Sequence, residues 1–181
     1  ICEDIWHKEP ADAARRVGAE LLINLNASPF HRGKHKERWQ VLADRATEQS
    51  IPMIYVNQVG GQDELVFDGG SFAVNADGKL AVVAPDFEEG CFELSVERTV
   101  RGVEIAQGVA ATALSDVAAV WQALVLGVRD YVEKNGFPGV VLGLSGGIDS
   151  AVTLAVAVDA LGADRVQACL LYTSPSPRDQ L

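Results

Sequence analysis

Residues 143–150, GLSGGIDS, place three glycines, two serines and an aspartate directly after the apolar run GVVLGL at 139–144. That run reads as a fully buried parallel strand, and DSAVTLAVAVDALG at 149–162 reads as a helix that Gly162 ends. At such a strand-to-helix turn the first N–H groups of the helix lack intrahelical acceptors, and small residues let an anion reach the backbone. A phosphate is therefore the guest this loop suits, a tight structural turn being the plainer alternative. The stretch has no lysine to match G-x-x-x-x-G-K-[ST] and does not fit G-x-G-x-x-G, which argues against a kinase-like loop and a dinucleotide fingerprint. A second candidate opens the sequence, ICEDIW. Cys2 is a nucleophile if a base or a cation lowers its pKa, and a small inert hydrophobe otherwise. Glu3 and Asp4 follow it; strand neighbours point to opposite faces, so at most one would share its face, and structural hydrogen bonding is their expected role.

The elements that must position these residues alternate. AELLINL at 19–25 reads as a buried strand that ends in the polar loop of Asn26, Ser28 and Pro29. Residues 34–50 place Trp39, Leu42, Ala43 and Ala46 at helical spacing among charges, the pattern of an amphipathic helix on a sheet that Pro52 stops. IPMIYVN is a second buried strand, and Asp77-Gly78 between alternating apolar runs predicts a hairpin because that pair accepts positive φ. A further strand is expected near 91–97, a linker over 102–113 where strand character fades, and a helix from Leu114 to Lys134 capped by Asn135-Gly136.

Composition narrows the function classes. The 181 residues are 48% hydrophobic and 22% charged, ordinary for a globular protein. A net charge of −10 argues against a nucleic-acid surface, and the one basic patch, HRGKHKER at 31–38, reads as a solvated helix face. His31 and His35 stand four apart, but Gly33 lies between them and no third metal ligand is evident. No apolar run is long enough to cross a membrane, and no secretory leader is evident. Cys2, Cys91 and Cys169 are odd in number and lack a C-x-x-C pair, which suits a reducing compartment and a cytoplasmic protein.

The turn at 143–150 resembles the PP-loop of the ATP pyrophosphatases, S-G-G-x-D-S at a strand-to-helix junction. The resemblance implies ATP as substrate and Mg²⁺ as cofactor. Gly143, Leu144, Ser145, Gly146, Gly147, Ile148, Asp149 and Ser150 would bind ATP, with Ser145, Gly146, Gly147 and Ser150 on the pyrophosphate and Asp149 on the metal. ICEDIW resembles the nucleophile segment of the nitrilase superfamily, whose cysteine attacks an amide with help from a glutamate and a lysine. NLNASPFHRGK and YVNQVGGQDELVFDGGSF are similar to later blocks of that superfamily, specifically those of the glutamine-dependent NAD synthetase family, over residues 1 to about 168. By that correspondence Cys2 is the glutaminase nucleophile, and Ser28 and Lys34 contact glutamine.

The fold this implies is α/β: the C-terminal part of a nitrilase-like αββα sandwich (1–101), a linker (102–113), and the first βα unit of a Rossmann-like PP-loop domain (114–168). The implied activity is ATP-dependent amidation of deamido-NAD⁺ to NAD⁺, using ammonia released from glutamine, in a homo-oligomer with small-molecule substrates and no nucleic-acid or membrane partner. Another glutamine-coupled PP-loop ligase and a non-catalytic ATP-binding module are the alternatives. In the family the glutamate and lysine of the triad lie upstream of the cysteine, where this sequence has only Ile1. The chain is thus expected to be an internal fragment, inactive by itself, whose last helix leaves apolar surface exposed. Residues 169–181, CLLYTSPSPRDQL, lose the pattern and resemble a translated sequencing adapter.

Overall fold

The computed structural model describes residues 1–170, so the expectation for the tail lies outside the described residues from 171 onward. A 3-10 turn, Cys2–Trp6, leads into α1 (Lys8–Arg16), β1 (Leu22–Asn26), α2 (Lys34–Gln49) and β2 (Met53–Asn57). Then come β3 (Val59–Gln62), β4 (Leu65–Asp68), β5 (Phe72–Val74), β6 (Leu80–Val83), β7 (Leu94–Thr99) and β8 (Gly102–Gly108). The remainder is α3 (Asp116–Lys134), β9 (Val140–Leu144), α4 (Ile148–Leu161) and β10 (Val166–Leu170). No helix among the described residues is long and apolar enough to cross a membrane.

The larger sheet runs β1-β2-β5-β6, with β1 and β2 parallel (Leu22 opposite Met53, Asn26 opposite Asn57) and the other neighbours antiparallel. One face packs against α2 and α1. Leu42, Ala46, Met53, Tyr55, Phe72 and Val74 form its centre, each buried to 2% exposure or less, with Ile5 and Ala11 beside them. Apolar area removed from water stabilises this layer at about 25 cal/mol per Å².

Strand β1 departs from the buried apolar strand expected. Ile23 and Leu25 stand on the other face, 59% and 60% exposed among the described residues, while Asn24 and Asn26 are buried under the helices. The asparagines satisfy one another: Asn24 Nδ2 donates to Asn26 Oδ1 (2.6 Å), and Asn26 Nδ2 donates to the carbonyls of Asn24 (2.8 Å) and Val56 (3.1 Å). An apolar count along a strand cannot tell which face a helix will cover.

The Asp77-Gly78 hairpin forms as expected between β5 and β6, with Gly78 at φ +77°. Residues 102–108, expected as linker, instead form β8, paired antiparallel with β7. Gly102 at φ +119° follows the tight turn, and Ile105 packs with Ala73 and Val82 against the sheet. Its alternation, Val103 and Ile105 between glycines, is too short to stand out in the sequence. The β3–β4 hairpin was likewise not read as structure; Asp63 and Glu64 turn it, Asp63 at φ +51°.

In the C-terminal part, β9 and β10 pair in parallel (Val140 opposite Val166) across α4. Ser115 caps α3, its Oγ accepting the Ala118 amide (3.3 Å). Val125 of α3 meets Val156 and Ala160 of α4, with Trp121, Val128 and Leu161 around them. Strand β9 is not fully buried as expected: Val141 is 69% exposed, because α4 covers only part of this two-stranded sheet among the described residues. Ile148 and Val152 leave apolar surface exposed on α4, as expected.

Candidate active sites

Cys2 does not lie at the end of a strand. It begins the 3-10 turn, with φ +28°, and is half-buried. The strand argument for Glu3 and Asp4 therefore lapses; both are exposed, and Glu3 Oε1 lies 3.9 Å from His7 Nε2. The turn meets Lys34, one of the two other residues expected to contact glutamine, through Trp6. Trp6, four residues on, lies under Lys34, whose Nζ is 4.3 Å from the ring centroid and 3.2 Å from Glu37 Oε2.

Ser28 sits at the centre of a buried polar knot drawn from four elements. Arg38 of α2 donates Nε–H to Ser28 Oγ (3.1 Å) and Nη2–H to the carbonyls of Ser28 (2.9 Å) and Pro29 (2.8 Å). Its Nη1 donates to both carboxylate oxygens of Asp68 in β4, at 2.9 and 2.8 Å. Asn57, at the end of β2, accepts the Ser28 amide on Oδ1 (2.9 Å) and donates to the Ser28 and Gly69 carbonyls. Arg38 and Asp68 are only 2% and 4% exposed, so each charge depends on the other and on these bonds.

This knot corrects the reading of the basic patch as a solvated face at Arg38 alone; His31, Arg32, Lys36 and Glu37 are exposed as expected. Arg38 lies on the buried stripe that continues through Leu42 and Ala46, four residues apart each time, whereas Trp39, expected on that stripe, is 41% exposed. The four-residue register was the signal available for Arg38. Nothing local marked Asn57 or Asp68 as its partners.

Tyr55 completes the cluster. Burial raises its pKa above the ordinary tyrosine value; Cys2 and Asp68 push the same way, while Ser28 and Arg38 oppose. Ser28 and Arg38 are thus close, yet the phenol oxygen meets no partner at hydrogen-bonding distance and angle. Its ring stacks on Phe72, centroids 5.0 Å apart, and Phe72 stacks in turn against His35. His35 Nδ1 lies 3.4 Å from Asp86 Oδ1, and His31 is exposed elsewhere on the surface. Among the described residues no three His, Cys, Asp or Glu side chains group as a metal site.

A cavity of about 400 Å³ opens on the sheet near Ile54, Val56, Ala73, Phe92 and Leu94. Cys2, Ser28 and Lys34 do not line it.

The second site is built at the start of α4. Gly143 and Leu144 end β9; Gly146 adopts φ +80°, and Gly147 precedes the first helical residue, Ile148. Ser150 Oγ donates to the Gly147 carbonyl (2.9 Å), lies 3.3 Å from Ser145 Oγ and accepts the Ser145 amide (3.4 Å). Both serines are thereby folded over one turn. Asp149 is exposed in the first turn of the helix, where a carboxylate faces the positive end of the dipole. The loop is solvent-exposed and offers backbone N–H groups, two hydroxyls and one hard oxygen ligand together, a set suited to a polyphosphate with its divalent cation.

Comparison with known proteins matches two family models to the chain. The carbon-nitrogen hydrolase family model matches residues 1–109, and the chain belongs to that family. The NAD synthase family model matches residues 120–181. The chain is 46% identical to the glutamine-dependent NAD(+) synthetase of Acinetobacter baylyi over 96% of its length and 32% of that protein's. With the corresponding synthetase of Xylella fastidiosa (strain 9a5c) it shares 48% identity over 99% of its length and 33% of that protein's. The structure of glutamine-dependent NAD+ synthetase from Acinetobacter baumannii in complex with ADP superimposes with a TM-score of 0.86 at 46% identity, over 96% of this chain and 33% of that one. The chain thus spans about a third of the length of the curated relatives it matches. The α/β fold is that of a nitrilase-superfamily segment followed by the start of an NAD synthase domain.

Proposed function

We propose that this chain forms part of a glutamine-dependent NAD synthetase, in which a cysteine amidase supplies ammonia to an ATP-dependent amidating site. The observation that carries the reading is the order of parts on one chain: a carbon-nitrogen hydrolase segment and, from residue 120, an NAD synthase segment with its S-G-G-x-D-S loop at a helix start.

In this reading the Cys2 thiolate attacks the side-chain amide carbon of glutamine; the tetrahedral adduct collapses to a thioester, and the amide nitrogen leaves as ammonia once protonated. Water then hydrolyses the thioester to glutamate and restores the thiol. Ser28 and Lys34 orient the substrate: Lys34 supplies a cation for the carboxylate, and Ser28 a hydroxyl.

At the second site the carboxylate of deamido-NAD⁺ attacks the α-phosphorus of ATP, and pyrophosphate leaves. Ammonia then displaces AMP to form the amide of NAD⁺. Ser145, Gly146, Gly147 and Ser150 take the pyrophosphate on backbone donors and hydroxyls, while Gly143, Leu144 and Ile148 shape the loop. Charge developing on the leaving group is what such preorganised donors stabilise. Asp149 would hold Mg²⁺, which neutralises charge on the phosphate oxygens. Its exposed carboxylate beside the serine pair fits that role. A cytoplasmic setting and a homo-oligomeric assembly belong to the same reading.

The test is a substrate assay on the complete gene product. With ATP, Mg²⁺ and glutamine, it is expected to convert deamido-NAD⁺ to NAD⁺ with release of AMP and pyrophosphate. Amidation of a different acid, with deamido-NAD⁺ untouched, would instead favour another glutamine-coupled ligase.

A further inference from the structure

We propose that Arg38 is a positioning residue for glutamine hydrolysis that acts through Ser28, and that it makes the Ser28 hydroxyl a hydrogen-bond donor to the substrate. The inference rests on the reading above that Ser28 contacts glutamine, and it adds the residue that decides how.

Arg38 spends its whole guanidinium inside the protein. Nη1 is committed to the Asp68 carboxylate, Nη2 to two carbonyls of the Ser28–Pro29 loop, and Nε to the Ser28 hydroxyl oxygen. Asn57 holds the Ser28 amide from the other side. The N–H, C=O and Oγ of one residue are therefore all fixed by side chains that are at most 5% exposed.

The polarity follows from the inventory of groups. A serine hydroxyl has one proton and two lone pairs, and arginine has only donors. Because Nε–H points into Oγ, the hydroxyl proton cannot be directed back at the guanidinium and is turned elsewhere. Ser28 then offers a donor, which suits an acceptor such as a carboxylate or amide oxygen of glutamine. Among the described residues the Tyr55 phenol oxygen, also buried, is an unpartnered polar atom close to Ser28. A lysine at position 38 could not reproduce this arrangement, because its single ammonium cannot serve Asp68, two carbonyls and a hydroxyl in fixed directions.

The experiment uses the complete gene product and measures KM and kcat for glutamine separately. R38M/D68L removes both buried charges together, so that neither is stranded, and circular dichroism with the thermal midpoint establishes that it is folded. KM for glutamine is expected to rise about tenfold while kcat changes by less than about threefold, as for loss of an oriented binding hydrogen bond. S28A is expected to raise KM by a similar factor, and the triple variant to be no worse than either, because all disrupt one hydroxyl. R38K, which keeps the charge opposite Asp68, is expected to raise KM as well.

A folded R38M/D68L or R38K with unchanged KM overturns the role of Arg38. Multiplying effects in the triple variant overturn its action through Ser28. An unchanged KM in S28A overturns the prior reading of Ser28 itself, a result separable from the other two.

Discussion

The carboxylate of Asp130 in α3 accepts the backbone amide of Gly61 in β3 at 2.7 Å, tying the segment that matches NAD synthase to the carbon-nitrogen hydrolase segment. Lys134 closes the contact, its Nζ donating to the Gly61 carbonyl (2.6 Å) and lying 3.1 Å from Asp130 Oδ2. The same hairpin reaches the loop of Ser28, proposed to contact glutamine: the Val66 carbonyl accepts the Phe30 amide (2.7 Å), and Asp68 holds Arg38.

Glycine is required on one side of this junction more than on the other. A Cβ at Gly61 would stand 3.1 Å from Asp130 Cβ and 3.2 Å from the Gly127 Cα, where backbone cannot yield. Gly61→Ala is expected to destabilise by about 1–3 kcal/mol, and Asp130→Ala by a similar amount, about 1–3 kcal/mol, through the stranded amide. Gly127→Ala meets only a Val66 methyl at 3.2 Å and gains about 1 kcal/mol of helix propensity, so it should be near neutral. Urea unfolding of the three variants checks the ranking, and a Gly127 variant worse than the Gly61 one would refute it.

The Arg38–Asp68 pair predicts an asymmetry in stability. Asp68→Ala leaves a guanidinium 2% exposed without its carboxylate, and a loss of about 3–5 kcal/mol is expected. The paired apolar replacement used above should cost markedly less. Thermal denaturation of both measures the difference, and equal losses would show that the charges do not depend on each other.

Tyr55 sets an alkaline limit. Burial raises its folded pKa above the unfolded value of 10.0. Stability from the neutral phenol is therefore fully present below pH 10 and is lost as pH rises from there through the folded pKa, because only the unfolded chain releases the proton early. Tyr55→Phe is expected to flatten the fall in unfolding free energy above pH 10 and, with no hydrogen bond broken, to leave stability at pH 7 within about 1 kcal/mol. Urea titrations between pH 8 and 11 on both proteins decide it; parallel curves count against Tyr55.

The two proposed sites separate by nitrogen source. In the complete gene product Cys2→Ala is expected to abolish glutamine-dependent NAD⁺ formation while synthesis from ammonium salts continues, since only ammonia release needs the thiol. Continued use of glutamine would show that the nucleophile lies elsewhere.

Asp149→Ala is expected to remove synthesis from both nitrogen sources, by a factor of at least about 10², because adenylation precedes either route in the proposed reaction. The rate with ammonium salts at saturating Mg²⁺ is the measurement; a normal rate would end the metal role proposed for Asp149.

Much of the second site was legible in the sequence alone, because it is local. A strand, two glycines and a helix start within eight residues already fix where the free N–H groups point, and the Asp77-Gly78 hairpin was readable for the same reason. The pairing of a carbon-nitrogen hydrolase segment with an NAD synthase segment was carried by short motifs, each complete in itself. The first site was readable only as a set of names. Ser28, Arg38, Asn57 and Asp68 come from a loop, a helix and two strands, up to 40 positions apart, and no local pattern records that they will share hydrogen bonds. Arg38 was mistaken for solvated charge because a cation is normally too costly to bury, and only Asp68, brought to it by the sheet, removes that cost. Likewise β1 buries Asn24 and Asn26 beside Leu22 and leaves Ile23 and Leu25 on the other face: composition sets how much apolar surface a chain has, and tertiary packing decides which of it is covered.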